Sequence, residues 1–155
     1  MSYDIYIGEG VWSEEDWGVH GFTLSEAPAF RGDRLSKQCN SRHPGYLQWG
    51  GFLDRVGLYE LFFGVSGLMA EHPGACKLKP QHLYLIHNAL EKYQASKPSA
   101  KPGLCGCKEC SISSYTQADG LAHEDLDYDL ARLQWLDWWV MWAIQNCSNP
   151  TLVNL

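Results

Sequence analysis

The sequence predicts an α+β fold, predominantly α, in which a small N-terminal β-hairpin or sheet packs with about three main helices around a central Trp-rich C-terminal helix. Three observations lead there. Tyr3, Ile5 and Ile7 alternate with Asp4, Tyr6 and Gly8 at the period of a strand. Apolar residues over 46–63 and 80–95 recur at helical spacing. Segment 122–147 carries two apolar stripes on opposite sides of one helical wheel. A chain of 155 residues, 45% apolar and 13% aromatic, has core material for one domain over 1–155, burying roughly 68–70% of its unfolded surface.

Gly8 and Gly10 are expected to end the first strand, and the acidic turn Ser13-Glu14-Glu15-Asp16 leads to a second strand within 17–24, giving a hairpin. Residues 25–45 hold Pro28, Gly32, Pro44 and Gly45 without periodicity and are read as a long loop. From Tyr46 onward Trp49, Phe52, Leu53 and Val56 mark a helix that Leu58, Leu61 and Phe62 continue past Gly57 to about 63. His72-Pro73-Gly74 is a turn. Pro80 stands where a helix begins, Leu83, Ile86, Leu90 and Tyr93 form its apolar face, and it ends near Ser96 before Pro98. The stretch 96–120 reads as a loop or a metal-organised knuckle.

On the last helix Leu126, Leu130, Leu133, Leu136, Val140, Ile144 and Cys147 share one stripe, and Trp135, Trp138, Trp139 and Trp142 lie opposite. Two apolar faces call for two partners. Either other elements cover both sides or the Trp face is an exposed binding surface; cover on both sides is expected, since four exposed indoles would drive association. Asp137, at the edge of the aliphatic stripe, then needs a partner for a half-buried carboxylate, and Arg132 is not assumed to be it.

A net charge of −6 disfavours an anionic bilayer or a nucleic-acid duplex as partner. No secretory signal is visible at the N-terminus and no apolar run is long enough to span a bilayer, so the expected location is cytoplasmic, with the six cysteines as reduced thiols.

Within that acidic chain Arg31, Arg34, Lys37 and Arg42 lie in twelve residues against only Asp33, a local charge of +3. Asn40 and His43 add hydrogen-bonding groups, and Tyr46 and Trp49 follow as stacking faces one helical turn apart. Guanidinium forks match phosphate oxygens and aromatic faces hold bases, so these residue types suit a small, nucleotide-like anion. The alternative is a solvated loop leading into a helix.

Cys105, Cys107 and Cys110 supply up to three of the four ligands of a structural tetrahedral Zn²⁺, with the fourth from Cys39, Cys76, Cys147 or a histidine; otherwise they are free loop thiols. No H-E-x-x-H, G-x-S-x-G or phosphate-binding glycine loop is present, and His82 and His87, five apart, do not share a helical face. No catalytic residue is assigned.

Several of these segments carry a resemblance. Met1-Ser2-Tyr3-Asp4, Ala27-Pro28-Ala29-Phe30, the run Asn40-Ser41-Arg42-His43-Pro44-Gly45-Tyr46 with Trp49, Gly57-Leu58-Tyr59 before Leu61-Phe62-Phe63, His72-Pro73-Gly74, and the Trp-bearing stretch 130–143 are similar to a family of small bacteriophage- and prophage-encoded proteins. The cysteine insert 105–110 is peculiar to this member. The resemblance brings no residue roles. It implies a class of role, an accessory protein acting against a host function by binding a host protein or sequestering a small signalling molecule. The leading expectation is thus a non-enzymatic counter-defence protein that sequesters a small anionic, nucleotide-derived ligand through Arg31, Arg34, Asn40, Arg42, His43, Tyr46 and Trp49. The alternatives are a protein-interaction module, either an inhibitor of a host protein or a virion component, and a phosphoester hydrolase acting on a nucleotide-like substrate.

Overall fold

The computed structural model describes residues 5–12, 19–23, 46–102 and 126–154. They form an α+β arrangement, mainly α. In chain order the elements are β1 (Ile5–Trp12), β2 (Val19–Thr23), α1 (Tyr46–Arg55), α2 (Tyr59–Phe63), β3 (Gly74–Lys77), α3 (Pro80–Ser96), β4 (Lys101–Pro102), β5 (Leu126–Asp127), α4 (Tyr128–Asn146) and β6 (Pro150–Asn154). No helix among the described residues is long and apolar enough to cross a membrane.

The four larger strands make one antiparallel sheet in the order β2-β1-β6-β3. The expected hairpin is its β1–β2 half. Strand β1 does not stop at its glycines: Gly8 pairs with Thr151, and the Gly10 amide donates to the Asn149 carbonyl at 2.9 Å, so pairing partners carry the strand to Trp12. Glu9 fixes the same corner, its carboxylate accepting from the Ser148 and Asn149 amides at 3.2 and 2.8 Å. Ile5 and Ile7 lie opposite Asn154 and Leu152, and Leu152 lies opposite Cys76, so the side chains of one sheet face enter the core.

Helix α4 packs against β1, β6 and, most extensively, α3. From Leu130 through Asp137 every residue is buried, including both Trp135 and Leu133 on its opposed stripes, while Trp138 and Trp142 are half-buried. It is the doubly covered helix that its two stripes require. Its start falls later than the periodicity implies. Asp127 is the N-cap, accepting from the Leu130 amide at 2.9 Å, and Leu126 belongs to β5, which pairs in parallel with β4.

The helix read across 46–63 is two helices. Gly57, at φ +74°, closes α1 with the paired bonds of a Schellman turn: the Leu58 amide to Leu53 O at 2.8 Å and the Gly57 amide to Asp54 O at 3.1 Å. Buried Leu53 and Leu58 make the accompanying apolar contact. Helix α3 begins at Pro80, and His82 Nδ1 accepts from the Lys79 amide at 3.0 Å. Burial, followed by the charge of Lys79, lowers the His82 pKa below its ordinary 6.5, in keeping with a neutral ring acting as acceptor.

Candidate functional site

Of the residues expected to bind an anion, Arg31, Arg34, Asn40, Arg42 and His43 lie outside the described residues, as does the side chain of Tyr46. Tyr46 is the first residue of α1, so the basic segment leads in sequence into that helix's N-terminus. The first turn of α1 carries no acidic residue, which leaves the positive end of its dipole uncompensated from within the helix.

Trp49 requires a correction. It is 0% exposed, its ring 5.1 Å from that of Phe52 and 6.3 Å from that of Phe62 by centroid, and it belongs to the main core cluster. A ring enclosed by protein has no face left for a base. Its place at i, i+3, i+4 with Phe52 and Leu53 makes it the anchor that seats α1 on the core.

Cys105, Cys107 and Cys110 also lie outside the described residues. Among the described residues no three His, Cys, Asp or Glu side chains gather at metal-ligating range. Cys76 and Cys147 are both half-buried and not disulfide-bonded, and burial raises the Cys76 thiol pKa.

Two arrangements among the described residues bear most directly on function. The first is a histidine–carboxylate pair between antiparallel α3 and α4: His87 Nδ1 lies 2.9 Å from Asp137 Oδ1, and His87 Nε2 lies 3.6 Å from Glu91 Oε1. A carboxylate only accepts, so Nδ1 carries the proton there. Asp137, first by its hydrogen bond and then by its charge, raises the imidazole above its ordinary 6.5. This orientation is one a general base requires, yet the His87 side chain is 52% exposed and lines neither of the α2–α3 concavities described next. The geometry supports a bridge between helices.

The second is a groove between α2 with its following turn and α3. Two adjoining concavities of about 440 and 520 Å³ share Glu60, Leu61 and Leu85. The turn is pinned back onto α2, with the Leu68 amide donating to Leu61 O at 2.9 Å and Met69 to Phe62 O at 2.7 Å. Val65 at its tip is fully exposed, Tyr84 is 67% and Leu85 46% exposed. Tyr84 and Leu85 fall off the apolar face defined by Leu83, Ile86, Leu90 and Tyr93, a signal present in the sequence that the helical wheel leaves unexplained. The His87–Asp137 pair was half legible: Asp137 needed a partner, but only the packing of α3 on α4 names it.

Comparison with family models, with curated proteins and with solved structures finds no match for the chain.

Proposed function

We propose that the protein is a non-enzymatic binding protein of the phage accessory, counter-defence type that captures a small anionic, nucleotide-derived ligand. The observation that supports this is charge placement: a +3 segment over 31–42 in a chain of net −6, leading into a helix whose first turn has no acidic residue. Arg31, Arg34 and Arg42 meet phosphate, Asn40 and His43 meet polar edges, and Tyr46 supplies the stacking face. Trp49 serves by holding α1 rigid.

Isothermal titration against cyclic dinucleotides, ADP-ribose species and mononucleotides tests the reading. Arg42→Ala should weaken binding about tenfold or more, the value of one lost charge-assisted hydrogen bond. Recovery of intact ligand by chromatography distinguishes capture from phosphoester hydrolysis. Absence of binding to every class, or an Arg42→Ala variant that binds like the parent, refutes it. For the interaction-module alternative, engaging a partner through the Trp-bearing face of α4 or through the 96–120 loop, the burial of Trp135 and Trp139 counts against the first of these surfaces.

A further inference from the structure

We propose that His82 is a proton-operated latch on the start of α3: the neutral ring holds the helix entry closed, and protonation releases the first turn, 80–83, with the wall that this turn builds beside α2. The latch stands on one hydrogen bond. His82 Nδ1 accepts from the Lys79 amide at 3.0 Å, the reach from the third helical residue back to the N-cap that Glu or Gln makes in a capping box. An imidazole accepts at Nδ1 only while that nitrogen carries no proton. Protonation sets N–H against N–H, so the ring must leave and the Lys79 amide loses its acceptor.

The charge that protonation adds works in the same direction. The first turn of α3 has no acidic residue, and an imidazolium there stands at the positive end of the helix dipole, beside Lys79. Glu60 of α2 and Tyr84 of α3 line the same concavity as the ring, and the Cys76 thiol of β3 lies within the field of Lys79. Glu60 is the acid of this set. It belongs to the opposite wall of the concavity, so it draws a released imidazolium away from the helix entry.

The ring is half-buried, and burial with Lys79 moves its protonation below pH 6.5. A folded-state value below the unfolded 6.5 gives stability that is present above 6.5 and lost as pH falls through the lower folded value. Gln81, His82, Tyr84 and Leu85 form the α3 side of the concavity of about 440 Å³. Acid therefore loosens one wall of that concavity while the body of α3 stays in place, because the His87–Asp137 bridge tightens under the same conditions.

Nuclear magnetic resonance of the full chain from about pH 7.5 to about pH 5 tests the latch, following the His82 ring together with amide hydrogen exchange. The Lys79 amide and the His82 ring should titrate together below pH 6.5. Protection of the His82 and Leu83 amides, both of which donate to Lys79 O, should fall about fivefold or more across that step once corrected for intrinsic exchange. Amides from Leu90 onward should keep theirs. His82→Gln, which offers an acceptor that does not titrate, should hold the first turn protected at both ends of the range, and His82→Ala should leave it unprotected at both. A ring that stays neutral throughout overturns the inference, as does one that titrates while the amides of 79 and 81–83 stay unchanged. So does a His82→Gln variant with the pH dependence of the parent. Should either variant fail to fold, the parent titration decides alone.

Discussion

The indole N–H groups of Trp49 and Trp139 are buried with no hydrogen-bond acceptor among the described residues, and an orphaned buried donor costs about 1–3 kcal/mol. Trp49→Phe removes that donor while keeping a ring against Phe52 and Phe62, so its cost in urea denaturation should stay near 1 kcal/mol. Trp49→Ala, which leaves a cavity, should cost about 3–5 kcal/mol. Because the indole anchors and does not stack, Trp49→Phe should also leave ligand affinity unchanged; a loss beyond the Arg42→Ala effect would return Trp49 to the site. Glycines on either side of α2, in the turns that flank it, separate backbone conformation from crowding. An added Cβ at Gly57 meets nothing within 4 Å, so Gly57→Ala should cost only the left-handed conformation, about 1–2 kcal/mol. At Gly67 the same carbon would collide with the Phe62 carbonyl, so Gly67→Ala must shift the turn that carries Val65. It should be the more destabilising of the two.

At the scale of elements, the start of α4 is held by side chains from two other helices. Asp127 caps the helix and also accepts from the Tyr93 hydroxyl of α3 at 2.8 Å, while Lys97 donates to that hydroxyl at 3.1 Å. Arg55, at the end of α1, grips Asp129 in a bidentate pair at 2.7 and 2.9 Å. Asp127→Ala therefore removes both a cap and the acceptor of the Tyr93 hydroxyl, and thermal unfolding should show a loss of about 1–2 kcal/mol, larger than Tyr93→Phe produces. Elements whose signals are local were legible: α3 runs from Pro80 to Ser96 as its apolar spacing and flanking prolines imply, and the opposed stripes of α4 found their two partners. The break at Gly57 was visible as a residue, but its consequence depended on Leu58 folding back on Leu53. Strands β3 and β6 were not legible. Each is four or five residues long, and β6 is buried at Thr151, Leu152, Val153 and Asn154 in succession, so it lacks the apolar–polar alternation that announces a strand. The groove escaped for a related reason: Leu61 and Leu85 meet only when α2 is turned back beside α3.

For the whole molecule, the His87–Asp137 bridge ties pH to the fold among the described residues, since α3 and α4 make the most extensive helix packing there and α4 in turn packs on the sheet. Two carboxylates face the imidazole, Asp137 from α4 and Glu91 from its own helix, and both favour the charged ring. A folded-state pKa raised above the unfolded 6.5 gives stability that is fully present below 6.5 and is lost as pH rises through the higher folded value. The ring is half exposed, so solvent screening keeps the gain in the range of surface pairs, up to about 1 kcal/mol. His82, whose pKa moves the opposite way, contributes with the opposite sign, and a difference measurement cancels it. Stability of the parent minus that of His87→Gln, from urea denaturation at each pH, should therefore be positive near pH 6 and shrink toward pH 8. Asp137→Asn should abolish the slope, and Glu91→Gln should reduce it only partly, because Asp137 supplies both the hydrogen bond and the larger charge effect. A difference that stays flat across this range would mean that the two helices are joined by a neutral hydrogen bond, and the pH dependence of the fold would then have to arise elsewhere.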